Sequence, residues 1–122
     1  MTLTALTWNI RGLNAPAKRS RLWKYVLDKK IDILALQETH MQRGDDHRLK
    51  HRRYPFVFRS SGPVKRCGVA LMFHASTKFQ MIDHKTDKEG RYVLVKGRLH
   101  GRLCTFASVY APNTNQAIFV SR

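Results

Sequence analysis

Residues 33–40 read Ile33-Leu34-Ala35-Leu36-Gln37-Glu38-Thr39-His40, and the character of this stretch decides the fold. From Ile31 to Leu36 the chain is almost continuously apolar, without the alternation expected of a half-solvated strand. Such a strand belongs in a sheet covered on both faces. The run ends abruptly at Gln37 and Glu38, which leaves a carboxylate at the rim of a core.

Upstream, Leu3-Thr4-Ala5-Leu6-Thr7-Trp8-Asn9-Ile10 reads as another buried strand, closed by a loop at Gly12, Asn14 and Pro16. From Lys18 to Asp28, Leu22, Trp23, Val26 and Leu27 recur at helical spacing, and Lys18, Arg19, Arg21 and Lys24 occupy the other face. Strand, helix and strand thus fill residues 3–36 as one βα unit feeding a sheet. Residues 37–53 are polar, with a basic stretch at Arg48, Lys50, Arg52 and Arg53. Downstream, strand-like runs at Tyr54–Arg59, Gly68–Phe73, Tyr92–Gly97 and Leu103–Tyr110 are separated by polar or glycine-containing turns. This predicts a βα unit followed by a meander, a layered α/β domain over residues 1–122. Asn115–Arg122 reads as the opening turn of a helix, with Ile118 and Phe119 ready to pack.

The formal net charge of +15 over 122 residues points to a polyanionic partner, because each Lys or Arg that meets a phosphate releases a condensed counterion. Cys67 and Cys104 sit in apolar runs without zinc-site spacing, which predicts buried reduced thiols. The first ten residues lack the pattern of a signal peptide, and no apolar run reaches membrane-spanning length. An intracellular protein, nuclear or cytoplasmic, with no membrane partner is therefore expected.

Ligand sites of layered α/β folds gather where loops converge at strand ends. Three segments occupy such ends here: Trp8-Asn9-Ile10-Arg11-Gly12, Leu36-Gln37-Glu38-Thr39-His40 and Val109-Tyr110-Ala111-Pro112-Asn113. A fourth, Asp87-Lys88-Glu89-Gly90-Arg91-Tyr92, enters a strand instead of leaving one. If the first two strands pair, Asn9 and Glu38 are neighbours. Mg²⁺ is typically held by one or two carboxylates together with waters and substrate phosphates, so Glu38 could be its main ligand. A solvated loop glutamate, or a partner for nearby arginines, fits the local pattern equally. Taken singly, Asn9 and Asn113 are ordinary turn residues and Tyr110 is ordinary half-buried packing. His40 follows Glu38 by two residues and is expected to point away along extended chain. His47 and His51 lie four apart in the basic stretch, where surrounding arginines would repel a cation. A solvated basic surface is the reading there, and no catalytic histidine is assigned.

In order and spacing, the four segments resemble those of the endonuclease/exonuclease/phosphatase superfamily, and most closely the endonuclease domain of LINE-type retrotransposons. The resemblance rests on Trp8–Asn14, Ile33–His40, Asp87–Gly97 and Val109–Thr114 and spans nearly the whole chain. It implies the N-terminal half of a four-layer α/β/β/α sandwich, mainly one mixed or antiparallel sheet with a flanking helix. The other half would supply the second sheet, so self-association through an uncovered sheet face is expected. The implied activity is Mg²⁺-dependent phosphodiester hydrolysis on duplex DNA, with Mn²⁺ as an alternative ion. Glu38 and Asn9 would form the metal and phosphate site, Tyr110 would contact the scissile phosphate, and Asn113 would hold the active-site loops. Arg91 and Arg11 would face the DNA. Arg11 stands where some repair relatives carry an acidic residue, which favours the retroelement branch.

The family's Gly-Asp-Phe-Asn and Ser-Asp-His segments, which orient the attacking water and carry the acid–base histidine, do not occur in these 122 residues. The resemblance therefore implies little nicking activity for this chain by itself. Two other readings follow from the same features: a non-catalytic, basic nucleic-acid-binding remnant of a retroelement, and a phosphatase acting on anionic inositol phosphates or phospholipids. The retroelement-like segments at residues 87–97 and 109–114 argue against the phosphatase.

Overall fold

The computed structural model describes residues 2–111 and the backbone of residues 114–121. β1 (Ala5–Asn9), α1 (Pro16–Asp28) and β2 (Ile33–Gln37) form the expected βα unit, and β1 and β2 pair in parallel. Parallel neighbours need a crossover, and α1 supplies it. Pro16 opens the helix at a position whose N–H would have no intrahelical partner. Leu22 and Val26, one turn apart, are its buried anchors. Lys30, in left-handed backbone at φ 53°, turns the chain back toward β2. The hydroxyl of buried Tyr54 donates to the Ile31 carbonyl at 2.8 Å and ties down that exit.

β3 (Phe56–Ser60) and β4 (Val69–Phe73) complete the first sheet in the order β1-β2-β4-β3, with β4 antiparallel to both neighbours. All five residues of β2 are buried, and the strand faces two cores at once. Leu34 and Leu36 pack with Leu22, Val26, Ala70, Met72 and Leu49 beneath the helix. Ile33 and Ala35 face the other way, with Leu71 and Phe73. The doubly covered strand read from the sequence is present as expected.

The α/β class, the mixed sheet and its flanking helix hold, but the later strands form a second sheet of their own. β5 (Gln80–Thr86), β6 (Tyr92–Leu99), β7 (Arg102–Ala111) and β8 (Thr114–Ser121) pair in sequence order, antiparallel throughout. Val93, Val95, Leu99 and Phe106 close the inner core against Ile33, Leu71 and Phe73. The two sheets therefore cover each other, and among the described residues the inner face of the first sheet is buried, not exposed as expected. Phe79 stacks on Phe73 with ring centroids 4.0 Å apart, and Phe106 meets Phe73 edge-on at 5.1 Å. The sheets are also joined by a polar contact. Buried Gln37 donates through Nε2 to Ser108 Oγ at 3.1 Å, and Ser108 donates on to the Leu36 carbonyl at 3.0 Å.

Three sequence expectations need correction. The helix expected at Asn115–Arg122 is instead strand β8 along residues 114–121, because β7 offers an open edge that periodicity cannot reveal. Residues 80–86 gave no strand signal because all seven side chains are exposed; ladder bonds to β6, interrupted by a bulge between Met81 and Asp83, hold β5 in place. Cys67 and Cys104 are free thiols, as expected, but only half-buried; Cys67 lies in the loop before β4. Burial pushes the Cys67 thiol pKa up.

Gly97 in β6 makes room for the aromatic stack. A Cβ there would sit 2.5 Å from the Gln80 carbonyl oxygen and inside contact distance of the Phe79 ring. Gly97→Ala is expected to destabilise the fold by about 1–3 kcal/mol, the usual cost of overpacking a tight core. A lowered urea midpoint at unchanged slope is the expected reading; an unchanged midpoint contradicts the packing.

Candidate active site at the strand ends

The parallel register sets Asn9 beside Gln37 at the ends of β1 and β2. Pairing continues past both strands: Ile10 N–H donates to the Gln37 carbonyl at 3.0 Å, Gly12 N–H to that of Glu38 at 2.7 Å, and Leu13 N–H to that of Thr39 at 2.8 Å. The two loops leave the sheet side by side. Arg11, Glu38 and His40 all adopt left-handed backbone there, at φ 52°, 55° and 58°. Such conformations are uncommon for residues with a Cβ and persist where surrounding contacts impose them.

The result is a compact polar cluster. Asn9 Nδ2 donates to Glu38 Oε2 at 2.5 Å, and Asn9 Oδ1 accepts from Arg11 N–H at 3.2 Å. On the other side of the carboxylate, His40 Nε2 lies 3.3 Å from Glu38 Oε1. His40 does not point away, as an extended chain would require. Two left-handed residues at positions 38 and 40 bring both side chains to the same side. Asn14 Nδ2 fixes the His40 carbonyl at 2.7 Å, and the His40 N–H is bonded to the Cys67 carbonyl at 2.8 Å.

Arg91 and Tyr110 reach the same region through a chain of backbone contacts. Thr39 N–H donates to the Gly68 carbonyl at 3.1 Å, Gly68 N–H to that of Gly90 at 2.9 Å, and Tyr110 N–H to that of Arg91 at 2.7 Å. The approach is so close that a Cβ on Gly90, whose φ is 74°, would stand 2.7 Å from Gly62 N and 3.1 Å from Gly68 N. Arg91 is exposed, and both its Nε and its backbone N–H donate to Asp87 Oδ2 at 3.0 Å. Burial pulls the Asp87 carboxyl upward, but the hydrogen bonds and charge of Arg91 outweigh it and hold the pKa below its usual value. Tyr110 is half-buried against the inter-sheet core. Arg11 is exposed on the Asn9 side. Asn113 lies outside the described residues.

Thus Asn9 meets both Glu38 and the Arg11 backbone directly, while Arg91, just before β6, adjoins Tyr110 near the end of β7. His40 and Asp87 went unassigned in the sequence reading. Nothing in the sequence announces the turn that pairs Asp87 with Arg91, or the left-handed turn at His40.

Among the described residues no group of three or more His, Cys, Asp or Glu side chains could hold a metal. The donors at the strand ends are the Glu38 carboxylate, the Asn9 carboxamide and the His40 imidazole. One carboxylate beside a carboxamide and an imidazole fits an ion that keeps waters and takes substrate oxygens as further ligands. The histidines of the basic stretch serve other ends. His51 is half-buried against Trp23, ring centroids 5.1 Å apart, so it is not the solvated residue expected. Burial, then the charges of Arg52, Arg53 and His74, lower its pKa. An open cavity of about 370 Å³ lined by Lys30, Asp32, Arg53, Tyr54 and His74 lies at the opposite end of β2 from Glu38.

The sequence profile of the Endonuclease/Exonuclease/phosphatase family matches residues 6–120. Solved structures share the fold. TDP2 from D. rerio, complexed with single strand DNA product, is 21% identical at a TM-score of 0.64, over 92% of this chain and 48% of that one. The APE2 catalytic domain from Xenopus laevis is 18% identical at a TM-score of 0.62, over 96% of this chain and 43% of that one. An AP endonuclease from Archaeoglobus fulgidus is 23% identical at a TM-score of 0.56, over 82% of this chain and 38% of that one. The chain therefore spans less than half the length of each of these structures. With the profile matched from β1 into β8 and the fold shared, the chain belongs to the Endonuclease/Exonuclease/phosphatase family.

Proposed function

We propose that this chain carries the metal- and phosphate-binding part of a Mg²⁺-dependent DNA endonuclease of the LINE retrotransposon type, with Mn²⁺ as an alternative ion. The observation that carries this reading is the Asn9–Glu38 contact at the ends of the paired strands β1 and β2. Family nucleases generally use a divalent metal ion. When bound, such an ion polarises the phosphodiester and offsets the charge that develops during attack by water. Glu38 supplies the anionic ligand. Asn9 holds that carboxylate and supports the metal and phosphate site. The Tyr110 hydroxyl contacts the scissile phosphate, Asn113 holds the adjoining loops, and Arg91 and Arg11 meet the duplex backbone. The net charge of +15 favours a nucleic acid over a small phosphorylated substrate, and the related TDP2 structure contains single strand DNA product.

Catalysis also needs a group that moves protons and one that orients the water, and the segments that carry these in the family do not occur in these 122 residues. The net charge of +15 also fits a second reading, basic DNA binding without catalysis. Loss of such groups removes orders of magnitude in rate. The 122-residue chain is thus expected to nick supercoiled plasmid feebly or not at all in Mg²⁺, and to bind duplex DNA with affinity that falls steeply as salt rises. Residual Mg²⁺-dependent nicking that is undiminished in Glu38→Ala would overturn the assignment of the site. Salt-insensitive or absent duplex binding would count against both DNA readings and toward a phosphatase.

Arg91→Ala tests the rim. Removing one phosphate contact is expected to weaken duplex binding several-fold and to flatten its salt dependence by about one ion. It also frees Asp87. A carboxyl whose folded pKa is depressed contributes stability at neutral pH, and that contribution disappears as pH falls through the folded value. Parent and Arg91→Ala should therefore differ in Tm near pH 7, and the gap should close as pH falls from about 4 through the depressed folded value of Asp87. A gap in Tm that persists into acid would show that the Asp87–Arg91 pair is not its source.

A further inference from the structure

We propose that His40 is a second protein ligand of the metal site at Glu38, and that its imidazole biases the site toward Mn²⁺ and Co²⁺ over Mg²⁺. The inference rests on the reading of Glu38 as a metal ligand and adds to it a residue and an ion class.

Geometry is the first ground. Two donors each about 2.1 Å from one ion, at angles of about 90° to 110°, stand about 3.0–3.4 Å apart. His40 Nε2 and Glu38 Oε1 are 3.3 Å apart, a hydrogen-bonded pair whose separation also matches that of adjacent ligands on a single ion. The pair needs no rearrangement of the backbone to serve as a chelate.

Second, the ring is held in this position from several directions. The His40 N–H is bonded to Cys67, its carbonyl to Asn14, and its backbone is left-handed at φ 58°. The ring's far edge rests on Gly12, where a Cβ would stand 3.2 Å from Nδ1. Gly12 itself has φ 100°, and its N–H is bonded to the Glu38 carbonyl at 2.7 Å. The loop that follows β1 thus aims the imidazole at the carboxylate that follows β2. A histidine serving only as a solvated surface group would need none of this support.

Third, the donor set bears on selectivity. Carboxylate, carbonyl and water suit Mg²⁺, while imidazole suits transition ions, whose affinity for nitrogen rises from Mn²⁺ to Co²⁺. With His40 engaged the site offers nitrogen and oxygen; without it the site offers oxygen alone.

Calorimetric titration of the 122-residue chain with Mg²⁺, Mn²⁺ and Co²⁺ tests this, alongside the His40→Ala, His40→Gln and Glu38→Gln variants. Both His40 variants are expected to weaken Co²⁺ and Mn²⁺ by roughly tenfold or more while leaving Mg²⁺ within about twofold. In the Co²⁺-loaded parent, proton NMR should show a contact-shifted, exchangeable imidazole N–H that both variants lose. His40→Gln retains a polar side chain of similar reach, so a shared loss of selectivity with an unchanged thermal melt is not a folding defect. An unaltered Co²⁺-to-Mg²⁺ ratio in both His40 variants, with binding lost in Glu38→Gln, overturns the role of His40 and leaves the Glu38 site standing. Binding of all three ions unchanged in Glu38→Gln overturns the metal-site reading itself, and the His40 proposal with it.

Discussion

The parallel pairing of β1 with β2 is the constraint on which the rest of the molecule depends. It sets Asn9 opposite Gln37, and the pairing runs on through Ile10, Gly12 and Leu13 after the strands have ended. Two loops of different sequence are thereby held at backbone hydrogen-bond distance, a tolerance that few side-chain contacts could impose. Asn9, Glu38 and His40 inherit their positions from that ladder. The ladder in turn depends on α1, because parallel strands can be joined only by a crossover and the helix must bury Leu22 and Val26 against the outer face of β2.

The rim of the site depends on close approach of backbones. Gly68 and Gly90 let the loop before β4 and the turn before β6 touch, and this contact carries Arg91 and Tyr110 toward the Glu38 loop. Side chains at either glycine would hold the loops apart: a Cβ on Gly68 would overlap the Thr39 hydroxyl, and one on Gly90 would press on Gly62. The Gly90 of the Asp87–Gly97 segment is therefore a packing requirement as much as a sequence signature. Asp87 has a comparable supporting part, since it orients Arg91 through both the side chain and the backbone.

The inter-sheet core and the site meet at Gln37. Its carboxamide, fully buried, bridges to Ser108 on β7 one residue before the chain turns into Glu38. A buried amide is tolerated only when its hydrogen bonds are satisfied, and satisfying this one ties the two sheets together at the edge that carries the polar cluster. Phe73 stacked on Phe79, with Phe106 edge-on to both, supplies the apolar counterpart deeper in the interface.

Local pattern determined a definite part of this protein. The unbroken apolar run of β2, the helical recurrence of Leu22 and Val26, and the placement of Glu38 just past a buried strand all follow from burial, and burial writes itself into residue type. Motif order carried Asn9, Arg91 and Tyr110 with them. Tertiary structure alone decided the rest. β5 is exposed throughout and exists through its ladder with β6; β8 is a strand because β7 presents an edge. The division into two facing sheets arises from long-range pairing that no local period encodes. His40 turns back onto Glu38 because surrounding loops hold two residues in left-handed backbone, a conformation whose cost is met by contacts distant in sequence.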